Sequence, residues 1–287
     1  RMLKVAAEAG FQSIECEIDM LGTWFHDPEG VKKQLEKYNM EFAALVLHQD
    51  WNGMEETAEE AALSREAIEF VKHFPNAKIM LSHHAGNVPR GEGEALAERR
   101  KCLINCMASV AAEAAEAGIV CCFHPNSAKN SLFRTEEDYE AMFELIQPTA
   151  PDVGHIENGG MSAIEQMKAH RDLIRHVHFK DRIAQNEWAV MGEGKIDYPA
   201  IIKYLAETGY LGWIMVEDES PRAETVTGLL LRTENICAGR FTGKQSDRNR
   251  LCWKKRYFSK DTKKFFLRRK RDYEYAYSCG NGSRSPW

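Results

Sequence analysis

Four polar side chains able to ligate a metal each stand where an apolar run ends. His124 lies in FHPN (123–126), Asp152 in PDVGH (151–155), His178 in HVHFKD (176–181) and Glu217 in VEDES (216–220). Two imidazoles and two carboxylates make a mixed nitrogen and oxygen donor set, which suits Mn²⁺, Co²⁺, Zn²⁺ or Fe²⁺ better than Ca²⁺. The four are spread over about a hundred residues, so one ion can collect them only if successive strand ends meet in one place. A parallel α/β barrel does that, because the C-terminal ends of its strands surround a single mouth.

The pattern between residues 3 and 217 supplies the units such a barrel needs. Residues 3–9 read as a helix closed by Gly10, and 11–19 as a strand. A helix from Pro28 to about Tyr38 precedes the strand 40–48, and a helix over 55–73 precedes the strand 77–84. A helix of about 25 residues ending at Gly118 leads to the strand 119–126. Thr135 followed by three acidic residues is a helix start, with a hydroxyl cap and acids in the first turn. QPTAP (147–151) is short and proline-rich, which predicts a stunted strand before Asp152. The rhythm resumes with a helix near 161–170, a strand over 173–179, a helix over 198–207 and a strand over 212–218. Alternating helices and strands of this kind predict a parallel α/β fold with six strands and the stunted one.

Composition narrows the function classes. Of 287 residues, 44% are hydrophobic and 28% charged, and no apolar run approaches the roughly 20 residues that span a bilayer. The opening RMLKVAAEAG is an amphipathic helical pattern without an export signal, and eight irregularly spaced Cys read as reduced thiols, together predicting a cytoplasmic protein. The net charge of −5 is unevenly divided: residues 225–287 hold 16 of the 38 Lys and Arg but 5 of the 43 Asp and Glu. We read residues 1–222 as one domain and 223–287 as a basic tail, disordered or foreign to the rest. An acidic body disfavours nucleic acid as a partner.

HVHFKD, MGEGKIDYPAII and GYLGWIMVEDE follow one another in an order and at a spacing that resemble the xylose-isomerase-like TIM-barrel superfamily of sugar phosphate isomerases and epimerases. FHPNS followed by RTEEDY is similar to the corresponding stretch of its inosose dehydratase group, with Asn126 where those proteins have a second His. The resemblance implies a (β/α)8 TIM barrel that is incomplete, its first strand absent, its sixth stunted and its last helix replaced by the basic tail. It implies a divalent metal held by His124, Asp152, His178 and Glu217. Epimerases of the superfamily usually carry Glu where His124 stands, and use it with the last-strand Glu to move a proton between faces. The His at that position shifts the expectation toward dehydration.

Dehydrating a hydroxyketone requires removal of the proton next to the carbonyl and expulsion of hydroxide from the neighbouring carbon, with a metal stabilising the enediolate. Glu217, Lys180 and His84 are the catalytic candidates. Lys180 shares the strand parity of His178 and can serve an oxyanion or leaving hydroxyl. Glu15, His83, Arg90 and Asn126 are the substrate-binding candidates, with 86–93 as a loop over the site. His155 and His176 read as structural, and Lys180 with Asp181 also fits a plain surface ion pair. The expected partner is a small sugar or cyclitol, with a homo-oligomer possible and no membrane. The competing readings are a sugar or sugar-phosphate isomerase/epimerase and an inactive fragment, an open barrel with exposed strand edges.

Overall fold

The computed structural model describes residues 2–83, 86, 88–145 and 148–220. The expected basic tail and the candidate His84 lie outside the described residues. In chain order the elements are α1 (Met2–Glu8), β1 (Ser13–Glu17), α2 (Ile18–Leu21), α3 (Pro28–Lys37), β2 (Glu41–Gln49), α4 (Ala58–Val71), β3 (Lys78–His83), α5 (Gly93–Glu116) and β4 (Cys121–Phe123). They continue with α6 (Glu136–Leu145), α7 (Val153–Asn158), α8 (Ala163–Ala169), β5 (Val177–Phe179), β6 (Arg182–Ala184), β7 (Glu187–Trp188), α9 (Tyr198–Glu207) and β8 (Ile214–Val216).

Local chemistry sets the helix starts. Thr57 and Glu60 form a reciprocal capping box at α4, each side chain accepting the other's backbone N–H. Asp27 caps α3 through Gly30 N–H and is followed by Pro28, whose fixed φ and missing N–H suit a first helical position. Asp197 does the same for α9 ahead of Pro199.

β1 to β4 pair in sequence order, all parallel, and β5 pairs in parallel with β8. Between these two sheets runs the stretch expected to be stunted. It forms no named strand, yet Thr149 bridges to Phe123 on one side and to Ile174 on the other. Ala150 N–H donates to Phe123 O, and His178 N–H to Pro151 O, both at 2.9 Å. The proline-bearing stretch therefore still occupies a strand's place between β4 and β5. Among the described residues no ladder joins β8 to β1.

Alternation along each strand separates two layers. Leu45, Leu47, Ile79, Leu81, Cys121, Phe123, Val177 and Phe179 belong to the large core between strands and helices. Its β2 end is closed by Phe25, Phe42, Phe70 and Phe74, whose ring centroids lie 4.7 to 5.5 Å apart. The intervening Ala44, Met80, Cys122 and Ala150 form a second, small cluster with Val46. This is the interior packing of a barrel, filled by side chains from successive strands. Glu15 of β1 meets His176 and His178 at β5, so the sheet curls until non-adjacent strands face each other. Continuing the inner parity toward the C-terminal ends gives His124, Asp152, His178, Lys180, Glu217 and Glu219.

Several elements differ from the expectation, among them the strand read over 11–19, which ends at Glu17 where α2 begins. The strand expected over 173–179 begins at Val177, because residues 171–173 form a short 3-10 turn. α7 was not foreseen, since six residues carry too little periodicity to be read. The antiparallel pair of β6 and β7 folds residues 182–188 into a hairpin above β5, its turn using Asn186 at φ 59°. Among the described residues no helix is long and apolar enough to cross a membrane, and Cys16, Cys102, Cys106, Cys121 and Cys122 are buried free thiols.

Candidate metal centre

The inner parity brings four strand ends together. One ligand atom from each of His124, Asp152, His178 and Glu217 lies within 4.8 Å of the others. His124 Nε2 is 3.7 Å from Asp152 Oδ2, and His178 Nδ1 is 3.5 Å from Glu217 Oε2. A tetrahedral ion with bonds of about 2.1 Å needs ligand atoms about 3.4 Å apart, so small adjustments suffice.

The donor atoms are also ready for a cation. Asp152 caps α7: its Oδ1 accepts the His155 N–H at 2.8 Å, which fixes the carboxylate and leaves Oδ2 facing the cluster. That Oδ2, His124 Nε2 and His178 Nδ1 are buried atoms without a hydrogen-bond partner. Burial of this kind costs about 1–3 kcal/mol per polar group unless a partner is supplied, and a divalent ion would supply one to all three. The charge balance points the same way. Burial works against ionising Asp152 and Glu217, but their basic neighbours, Lys180 foremost beside Glu217, hold both below the usual carboxylate range. Burial also works against protonating His178, yet Glu15 and then Glu217 hold its imidazole up at about 10, so a bound ion would have to take the place of the proton on Nδ1. The residues fit a divalent metal.

Lys180 lies beside this set, 1% exposed. Its Nζ is 2.7 Å from Glu217 Oε1, 3.0 Å from Glu219 Oε1, 3.9 Å from Asp152 Oδ2 and 3.1 Å from His155 Nε2. Burial opposes its charge, but Glu217, Glu219 and Asp152 keep the ammonium well above the ordinary lysine range. The surface ion pair with Asp181 is therefore overturned: both residues are buried and serve different partners. Asp181 Oδ2 accepts the N–H groups of Gly192 and Gly194 at 2.9 Å, which wraps the MGEG turn around a buried carboxylate. A Cβ on Gly194 would fall 2.0 Å from Asp181 Oδ1, so only glycine fits there.

His155, read from sequence as structural, stands inside the site. Burial and then Lys180 push its imidazole down to about 3, which favours the neutral ring. Its Nδ1 faces Ser127 at 2.9 Å from Oγ, and Ser127 accepts from Asn158, which also binds the hairpin at Asn186. The hairpin carries Trp188, half-buried, with its ring edge-on to His155 and 5.1 Å from Lys180 Nζ. Two residues missed from sequence thus lie beside Lys180, Glu219 and Trp188. Glu219 shares the parity of Glu217, a signal that was available. Trp188 sits on a two-residue strand, which carries none.

The remaining candidates are placed as follows. Glu15 lies against His176 and His178, beneath the four ligands. His83 shares the parity of Ile79 and Leu81, which face the helix layer, and its carbonyl accepts from Asn126 Nδ2 at 3.3 Å. Asn126 Oδ1 accepts from Ala128 N–H and Ser131 Oγ, so its amide braces the loop after β4. Arg90 Nη2 donates to Asp138 Oδ1 at 2.8 Å, and Arg100 shares that carboxylate. The structure gives Arg90 a structural partner and does not bring it to the four ligands.

α7 rests directly on the end of β5. A Cβ on Gly154 would fall 2.3 Å from the Lys180 carbonyl oxygen, a backbone atom that cannot step aside cheaply. Gly154→Ala is expected to cost about 1–3 kcal/mol, lowering Tm by several degrees, because it pries α7 from β5. Thermal unfolding by circular dichroism checks it; an unchanged Tm would mean that α7 does not seat this way.

The chain matches the model of the family described as xylose isomerase-like TIM barrel over residues 3–234. It is 24% identical over 255 residues to an inosose dehydratase of Geobacillus kaustophilus, covering 78% of this chain and 80% of that protein. The crystal structure of the IOLI protein with a bound zinc atom superposes with a TM-score of 0.68 at 16% identity, covering 84% of this chain and 93% of that one. The apo structure of an E. coli 3-keto-D-glucoside 4-epimerase gives 0.67 at 17% identity, covering 82% and 92%. At those identities the two structures speak to the fold alone.

Proposed function

The chain belongs to the xylose isomerase-like TIM barrel family, and we propose that it is a divalent-metal-dependent enzyme that dehydrates an inosose-like keto-cyclitol or keto-sugar. The observation that carries the reading is the convergence of His124, Asp152, His178 and Glu217, three of their donor atoms buried without a hydrogen-bond partner. Mn, Co, Zn and Fe all suit the donor set, and the zinc in the IOLI structure makes zinc the first ion to reconstitute. The dehydratase reading draws support from the inosose dehydratase relatives and from His124 where an epimerase would carry a second ligand glutamate.

A bound ion in this place would polarise the substrate carbonyl and so acidify the neighbouring C–H. The chain's own groups do the proton work. Glu217 Oε1 and Glu219 Oε1 flank Lys180 Nζ at 2.7 and 3.0 Å, so a proton taken from carbon by one carboxylate can be matched by one that Lys180 donates to the departing hydroxide. Burial holds Glu219 above the ordinary glutamate range, which suits a group that must both take and return a proton. The elements of water leave and a conjugated enol product remains. The Trp188 ring, 5.1 Å from Lys180 Nζ, would border the apolar side of a substrate held next to that ammonium. Trp188→Ala is therefore expected to raise KM about tenfold with kcat changed less, as for lost uniform binding, and steady-state kinetics decide it.

Glu219 also favours a second reading, sugar epimerisation or isomerisation, because it restores a second carboxylate near the reacting carbon. Incubating the metal-loaded protein with inososes and keto-sugars in D₂O separates the two by mass spectrometry. Loss of one water supports dehydration, and deuterium uptake without that loss supports isomerisation. Neither change across the panel counts against both.

A further inference from the structure

We infer that Glu15 is a positioning residue for the metal centre: held by His176, its carboxylate fixes the His178 ring so that Nδ1 is presented to the ligand cluster. The inference rests on the metal reading above. His178 has two ring nitrogens that face opposite ways. Nδ1 lies 3.5 Å from Glu217 Oε2, on the side of the four ligands, and Nε2 lies 3.2 Å from Glu15 Oε1. The other oxygen of Glu15 is 2.9 Å from His176 Nε2. Both carboxylate oxygens thus lie within ion-pair distance of an imidazole, the two rings tilted 56° to each other with centroids 5.3 Å apart.

The three groups come from opposite walls of the barrel. Glu15 is on β1, while His176 and His178 are one inner-parity step apart at β5. Their side chains are 9%, 0% and 6% exposed, whereas Glu217 and Glu219 are 37% and 43% exposed. A substrate entering at the open end meets the latter pair and not Glu15, which moves Glu15 from substrate contact to support. The three side chains themselves converge, and the separations of 2.9 and 3.2 Å are those of imidazole–carboxylate ion pairs. A carboxylate behind a ligating imidazole fixes ring orientation and strengthens the ligand, and its loss typically weakens metal binding about 10–100-fold.

The test is the zinc dissociation constant of the full chain, measured by chelator competition for wild type and Glu15→Gln, with apo-protein melting curves alongside. The expected result is about 10–100-fold weaker binding in Glu15→Gln while the apo variant remains folded at the assay temperature. A shifted visible spectrum of the Co²⁺-loaded variant would report the disturbed His178 ligand. Wild-type affinity in a folded Glu15→Gln, or a loss that tracks only its unfolded fraction, overturns the inference. Should Glu15→Gln not fold, the comparison is read in Glu15→Asp, whose shorter carboxylate withdraws from Nε2; wild-type affinity there overturns it equally. Tight binding in wild type and variant alike removes only the Glu15 assignment. No binding in wild type removes the metal reading together with it.

Discussion

Replacing both His178 and Glu217 by Ala is expected to take the protein from about one divalent ion per chain to background. The reason is the way the donor set is divided. His178 is anchored on β5 and Glu217 follows β8, while His124 and Asp152 stand on the other side of the cluster. The double variant keeps one nitrogen and one oxygen ligand, both on that side, and an ion so held keeps most of its water. Four-ligand sites bind zinc with apparent free energies of about 10–16 kcal/mol, so loss of two ligands weakens binding by more than a thousandfold. Metal analysis on size-fractionated protein reads the result, and any turnover found with inososes or keto-sugars should vanish with the ion. Stability follows by mass action: an ion present at a hundred times its Kd adds about 2.7 kcal/mol to the folded state. A chelator should therefore lower the Tm of the wild type and leave that of the double variant unmoved. Retention of a full equivalent in the folded variant would place the ion elsewhere.

The convergence of His124, Asp152, His178 and Glu217 was legible in sequence because a strand presents every second residue to the same face. Each closes an apolar run whose inner positions, such as Cys122 before His124 and Ala150 before Asp152, line the barrel interior. The same rule carried to the next inner position finds Lys180 after His178 and Glu219 after Glu217. It assigns Glu15 to the interior as well, but cannot say which residue of the opposite wall it meets, since that depends on how far the sheet curls. The hairpin at 182–188 and the helix at 153–158 were not legible. Each is too short to show a period, and each is held by contacts distant in sequence, Asn158 to Asn186 and Gly154 against the Lys180 carbonyl. The place of His155 beside Lys180 was hidden for the same reason, since three residues past Asp152 means little until α7 folds back onto β5. The stunted strand shows the opposite case. Pro148 and Pro151 bar a regular ladder, yet Thr149 and Ala150 keep their N–H groups and use them toward Leu173 and Phe123.

Lys180→Met should separate chemistry from metal binding. Its ammonium touches two glutamates and one histidine, and the ligand atoms of the four-residue cluster are all supplied by other side chains. The variant should thus keep its metal while kcat falls about 10²–10⁴-fold, the usual worth of a positioned proton donor. Loss of both ion and turnover would make Lys180 structural. Its stability should also change sign with pH. In the wild type, Asp152 and Glu217 titrate below their unfolded values, so their contribution is present above the ordinary carboxylate range and fades as pH falls through the folded values. Without Lys180, Glu219 loses the cation that opposes its partial burial and its folded value rises further above the unfolded one, while Glu217 keeps His178 beside it. A raised carboxylate stabilises the fold only while protonated, so the chelator-treated variant should be most stable in acid and weaken as pH rises toward neutrality. Both glutamates are more than a third exposed, so solvent screens part of the lost pairing, and the cost of removing Lys180 should be largest at neutral pH and smaller in acid, where Glu219 takes up a proton. Parallel stability curves for variant and wild type across that range would mean that Lys180 does not govern the charge of the site.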